Sequence, residues 1–363
     1  MICGCGRPAI DPAEVAYVFE RHSASPCDLA KLKASLAASG DAALKAFDPY
    51  ALFFPPGWTP DREGDYDEKA GAGITAWRDG ESAVVVAVFS GSPAQKAGIR
   101  PGDRLFYVDG VPVSELSDKE LHASLYSAPG NFTVKGRKAV GGVLQAALSR
   151  EMGGMPVVWG FTIPGTKAGY MRAASFMTRS AGRFKMAMND LLDSGAKRVI
   201  IDLRGNRGGS LGELADALGY FAPGPALLYS AVSRHSGYSK VFRSEGAGSY
   251  AGIKVVLLTD PDTVSRAEIF AQTLREWGAA VIVGGKTAGN VAATRGFRLK
   301  SGGALRLTVA RLRPPSGADL DGLGVEPDVR VAEATGSSTG GFTEYPPGLA
   351  SYDPVIRAAL ALP

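Results

Sequence analysis

Val255-Val256-Leu257-Leu258-Thr259-Asp260-Pro261-Asp262-Thr263-Val264-Ser265-Arg266-Ala267-Glu268-Ile269 reads as a buried strand that turns into a helix. Ser265 falls at the turn, with Glu268 three residues on, the spacing of a capping box. A helix N-terminus gathers unpaired N–H groups and the positive end of the helix dipole. The same groups stabilise an oxyanion that forms beside a hydroxyl. On spacing alone Ser265 reads as a cap, and its surroundings suit a nucleophile as well.

Strand and helix alternate on both sides of this turn. Candidate strands are Tyr170–Phe176, Val199–Leu203, Val255–Leu258, Val281–Val283 and Leu305–Ala310, and candidate helices are Ser180–Leu192, Leu211–Phe221 and Ser265–Trp277. Such alternation predicts an α/β layer structure around a mainly buried sheet, with a last amphipathic helix at about 349–361. Residues 12–46 read as largely helical, and Phe54 through Asp67 as a Pro/Gly-rich connector. Between them and the core lies a β-rich unit at about 68–140. Val84-Val85-Val86-Ala87-Val88 is a strand, Ser92 through Gly98 a short capped helix, and Leu105–Val108 a strand closed by the Asp109-Gly110 turn. Ser117–Ser127 reads as a helix with Ser117 as cap and Glu120 as its capping-box partner. The expected domains are thus a helical segment and connector at 1–67, the β-rich unit at 68–140 and the core at 141–363.

The chain of 363 residues is long enough for two or three domains and a sizeable core. Hydrophobic content of 45% and charged content of 21% are ordinary for a globular protein. The net charge of +4 is spread without a basic run, so no nucleic-acid partner is expected. Cys3, Cys5 and Cys27 form neither a zinc spacing nor an even disulfide set. No apolar stretch is long enough to predict a transmembrane helix, and the first residues carry no visible signal peptide.

The β-rich unit resembles a PDZ domain. Gly71-Ala72-Gly73-Ile74 stands where the carboxylate-binding loop is expected, and Gly91 through Asp103 with Val108-Asp109-Gly110 carries the rest of the resemblance. Backbone N–H groups of such a loop capture a peptide's terminal carboxylate while the peptide adds as a strand. The larger region resembles the C-terminal processing (tail-specific) serine peptidases. The resemblance begins at Asp48-Pro49-Tyr50-Ala51-Leu52-Phe53 and continues at Gly169 through Phe176. It is strong at Asp202-Leu203-Arg204-Gly205-Asn206-Arg207-Gly208-Gly209, Leu305–Thr308, Pro315-Ser316-Gly317 and Gly322 through Asp328. It implies a peptidase core of mixed sheet and helices, crotonase/ClpP-like, with an inserted or preceding PDZ domain and an N-terminal helical segment. It also implies protein or peptide C-termini as partners, no metal or organic cofactor, and a place of action in the periplasm or cell envelope.

Ser265-Arg266-Ala267-Glu268-Ile269 is similar to the family's Ser-Ala-Ser-Glu-Ile string, which puts Ser265 in the nucleophile position. The resemblance further implies oxyanion-hole N–H groups from Gly208 and Arg266, while Asn206 reads as holding the loop. A serine hydroxyl needs a base to take its proton. The family supplies a lysine in a Gly-Glu-Lys-Thr-Phe-Gly-Lys-Gly-x-Val-Gln segment, with the glutamine orienting it. Here the segment reads Gly284-Gly285-Lys286-Thr287-Ala288-Gly289-Asn290-Val291-Ala292-Ala293-Thr294, so Asn290 takes the base position and Thr294 the glutamine position. Three readings stay open: Lys286 reaches Ser265 as a base of burial-lowered pKa, a histidine serves, with His235 preferred over His122, or the chain is a catalytically impaired scaffold that binds C-terminal peptides.

Overall fold

The computed structural model describes residues 10–56, 69–88, 92–126, 129–155, 157–163, 166–177, 179–331 and 353–362. Helices α1 (Pro12–His22) and α2 (Leu29–Ser39) begin at Asp11 and Asp28, whose carboxylates accept the first free N–H groups. The expected helical block at 12–46 is therefore two helices and a 3₁₀ turn at Gly40–Ala46, broken at the extended Ser23. Strand β1 (Leu52–Phe54) follows.

The β-rich unit comprises β2 (Lys69–Gly71), β3 (Ile74–Asp79), β4 (Ser82–Val88), the short helix α3 (Pro93–Lys96), β5 (Arg104–Val108), β6 (Val111–Pro112), helix α4 (Asp118–Tyr126), β7 (Gly130–Arg137) and β8 (Val143–Met155). Its sheet runs β2-β8-β7-β5-β4-β3, with β6 beside β5, so β3 is an edge strand. Ser117 and Glu120 form the expected reciprocal cap of α4. The boundary expected at 140/141 falls inside the β7–β8 hairpin and is corrected. β8 pairs with β7 from Val143 to Arg150 and with β2 from Glu151 to Met155, so the unit runs through Met155.

The core follows as β9 (Val158–Thr162), β10 (Ala168–Ala173), α5 (Ser180–Asp193), β11 (Arg198–Asp202), α6 (Leu211–Gly219), β12 (Ala226–Val232), β13 (Lys240–Ser244), β14 (Val255–Thr259), α7 (Arg266–Glu276), β15 (Ala280–Gly284), β16 (Ala292–Arg298), β17 (Ala304–Arg313), β18 (Val329–Arg330) and α8 (Pro354–Ala361). One sheet has the order β18-β15-β14-β11-β10-β9, parallel except where β9 joins β10. All five residues of β14 are buried because helices cover both faces. Val255 and Leu257 join the layer of α5, α6 and α7, whereas Val256 and Leu258 face α8. A second sheet, β1-β17-β12-β13 with β16 beside β17, carries α1 and α2 on Leu299, Leu305 and Leu307. Residues 349–352 of the expected last helix lie outside the described residues, and the observed helix starts at Pro354 on an Asp353 cap.

The ends of β10 and β11 meet in a buried polar knot. Tyr170 donates to Asp202 at 2.6 Å, and Arg204 grips the same carboxylate with Nε at 3.0 Å and Nη2 at 2.7 Å. Arg172 adds a contact at 3.3 Å, and Arg204 Nη2 also reaches Asp353 at 2.8 Å. Burial alone would raise the Asp202 pKa, but the two guanidinium charges overcome it and bring it down to about 2. No helix among the described residues is long and apolar enough to cross a membrane.

Candidate active site

The turn between β14 and α7 is stitched to the segment after β11. Thr263 Oγ1 donates toward Leu203 O (3.1 Å) and Asp260 Oδ1 (2.8 Å), and Val264 N–H donates to Asn206 O at 2.8 Å. Held this way, Ser265 takes φ 65° and ψ −118°, a conformation L-residues rarely adopt, at a cost on the order of 1–3 kcal/mol. It is 4% exposed. Ser265 and Glu268 stand in the capping-box arrangement, but the Glu268 N–H donates to the Ser265 carbonyl at 3.0 Å. The Ser265 hydroxyl instead accepts a hydrogen bond from Arg266 Nη1 at 2.8 Å.

Glu268 is the hub beneath this serine. Its carboxylate accepts the Ser265 N–H (2.8 Å), the Asn290 N–H (2.9 Å), the Gly289 N–H (2.7 Å) and the Thr287 hydroxyl (2.5 Å). Burial raises its pKa against the lowering effect of these donors. One carboxylate thus joins the nucleophile turn to the loop that holds Asn290.

The glycine loop lies directly against the serine. A Cβ on Gly208 would sit 3.0 Å from Ser265 Cβ and 3.1 Å from Arg266 N, and Gly208 has φ +89°. The Gly208 N–H, expected as an oxyanion donor, bonds Asn206 Oδ1 at 2.8 Å in this structure. Asn206 in turn donates to Ala173 O at 2.8 Å, so this amide fixes the loop. The Arg266 N–H, at the first position of α7, has no acceptor among the described residues.

The structure separates Lys286 from Ser265, against the expectation that it reaches the hydroxyl. Its ammonium pairs with Glu326 at 2.8 Å and its side chain is 46% exposed, whereas Ser265 is buried. Asn290 stays near through its backbone bond to Glu268, and its side chain turns to Ala292 N at 3.4 Å. Thr294 is exposed on β16. His235 sits with a different cluster: its ring meets Tyr238 at 6.5 Å, Tyr238 bonds His22 at 2.6 Å, and Arg234 beside it clasps the end of α1. His122 lies on α4. Among the described residues, none of the sequence's candidate bases is hydrogen-bonded to Ser265.

In the β-rich unit, Gly71 ends β2, Ala72 and Gly73 form the turn, and Ile74 starts β3. Gly73 has φ +73°, and a Cβ there would lie 2.1 Å from Ser92 Cβ. Ala72 O accepts the Ala94 N–H at 3.0 Å, so the loop is seated on the start of α3. Helix α4 packs beside β2 and β3, leaving β3 as a sheet edge next to a helix.

Two features had gone unread in the sequence: the Arg266 side chain on the serine, and Glu268 as a loop clamp. The signal for the first was an arginine where the family string has a small residue.

A buried-sheet α/β core with a serine at a strand-to-helix turn, joined to a β-unit with a glycine loop beside an edge strand, defines a two-unit peptidase-like architecture. Residues 167–331 match the model of peptidase family S41, and residues 84–135 match that of the PDZ domain. The core thus matches a serine-peptidase family model, and the β-rich unit the PDZ model. It is 30% identical over 255 residues to a carboxyl-terminal-processing protease of Synechocystis sp., covering 69% of this chain and 59% of that one. It is 26% identical over 316 residues to the chloroplastic carboxyl-terminal-processing peptidase 3 of Arabidopsis thaliana, covering 83% and 59%. An S41-family crystal structure from Bacteroides fragilis shares the fold with a TM-score of 0.62 at 20% identity, over 95% of each chain. The chain spans about three fifths of the length of the curated relatives it matches.

Proposed function

We propose that this protein is a serine endopeptidase of the C-terminal processing type. Ser265 is the nucleophile, and the Arg266 N–H is one oxyanion donor. The Gly208 N–H becomes the second when the substrate oxygen replaces the Asn206 amide. A protein tail docks on the edge of β3 with its carboxylate at Gly71-Ala72-Gly73-Ile74, and the chain beyond it is fed to Ser265. Partners are flexible C-termini, as the names of the Synechocystis and Arabidopsis relatives suggest for those proteins. Family resemblance supports an extracytoplasmic place of action.

The observation that carries this reading is the Ser265 backbone. A strained serine, buried at a helix N-terminus and packed on a glycine loop, is costly for a cap alone. The test is fluorophosphonate labelling beside Ser265→Ala, with cleavage of an unstructured substrate carrying a free or amidated C-terminus. Labelling and cleavage that vanish in Ser265→Ala, with a higher KM for the amidated tail, are expected. A parent chain that binds tails but is not labelled establishes the other reading, a catalytically impaired scaffold, which the outward Lys286 and the Asn290 substitution favour.

A further inference from the structure

Arg266 is charged, sunk beside the reactive hydroxyl and uncompensated. Its Nη1 donates to Ser265 Oγ at 2.8 Å. Its Nε is buried without a hydrogen-bond partner. Among the described residues no carboxylate lies within ion-pair distance of it. The neighbouring Asp262, which could have answered it, pairs outward with Arg207 at 2.7 Å. The buried carboxylate nearest in sequence, Glu268, is saturated by four other donors. Tyr229 is the one acidic group that acts on Arg266, and burial raises its phenol far from ionisation while its hydroxyl donates to Leu211 O at 2.6 Å. Burial depresses the Arg266 pKa, as it must for a cation without a counter-charge.

A buried guanidinium keeps its charge, so leaving it unpaired is expensive. A carboxylate presented in the plane of its fork would relieve that cost with two parallel charge-assisted bonds. We propose that Arg266 is a carboxylate receptor built into the site, and that it selects peptides with a carboxylate at the residue whose carbonyl Ser265 attacks. The reach follows from the geometry: one end of the fork already lies at hydrogen-bond distance from the attacking oxygen. A bound carboxylate also draws Nη1 away from Ser265 Oγ and releases a lone pair for attack. The carboxylate is that of an Asp or Glu side chain at the cleaved residue, since a free C-terminus there would leave no bond to cleave.

This inference rests on the proposed peptidase reading for its site, and its test separates the two. Peptides identical except for Asp, Asn, Glu or Gln at the cleaved residue are compared. Charge-assisted bonds of this kind translate into a preference of about ten- to a hundredfold in kcat/KM. We expect that preference for Asp or Glu over the amides, its collapse to within about twofold in Arg266→Gln, and partial return in Arg266→Lys. Equal kcat/KM for Asp and Asn overturns the proposal. Should Ser265 resist fluorophosphonate, the peptidase reading falls by itself. Equilibrium binding of the same peptides to the Ser265→Ala chain then decides the receptor: tighter Asp binding that Arg266→Gln removes supports it, and equal binding overturns it.

Discussion

At the scale of the residue, Ser265 spends backbone energy to present its hydroxyl. Glycine adopts φ 65° and ψ −118° without the Cβ penalty and is tolerated at an N-cap. Ser265→Gly is therefore expected to remove labelling yet raise the thermal midpoint by about 2 °C, for a gain of about 1 kcal/mol, measured by calorimetry. A lowered midpoint would show that the serine is there for stability. Placement of this residue was legible because the run Val255–Leu258 and the helical pattern after it announce the turn. The bond from Arg266 to the hydroxyl was not, because spacing does not say which way a long side chain folds.

At the scale of the element, the loop at Lys286–Asn290 is positioned by what its backbone meets. Glu268 fixes the N–H groups of Gly289 and Asn290, and Glu326 from a distant loop draws Lys286 outward. Neither partner is visible in the segment itself, so a lysine three positions before a turn looked available when it was not. The clamp uses backbone donors only at Asn290, so a new side chain there keeps the loop in place. Asn290→Lys, with Thr294→Gln, is expected to speed fluorophosphonate labelling of Ser265 at least tenfold, with a rate that rises with pH as the ammonium loses its proton. An unchanged labelling rate would place the proton acceptor elsewhere. Strand β8 escaped the sequence reading for a related reason: Val143–Met155 lacks a clean alternation and ends in two glycines, and only its partners β7 and β2 define it.

At the scale of the whole molecule, the knot at Asp202 governs acid stability. Its folded pKa of about 2 lies below an unfolded value near 3.9, so its contribution is present above pH about 4 and is lost as pH falls through about 2. The shift corresponds to about 2–3 kcal/mol. Stability from urea unfolding should decline between pH 5 and pH 2, and Asp202→Asn should flatten that decline while lowering stability at pH 7 by about 3 kcal/mol or more, since Arg172 and Arg204 lose the buried carboxylate they share and Arg204 keeps only Asp353. A decline of the same steepness in Asp202→Asn would move the acid sensitivity elsewhere. The Asp-Leu-Arg motif was plain in the sequence, whereas its tie to Asp353 was not, because the two lie 149 positions apart.

That tie couples the last helix to the loop of the site. Arg204 begins the loop that presents Gly208 to Ser265, and its Nη2 is shared between Asp202 and Asp353. The final helix thus acts as a keystone for the site: Asp353, which caps it, also braces the arginine at the root of the glycine loop.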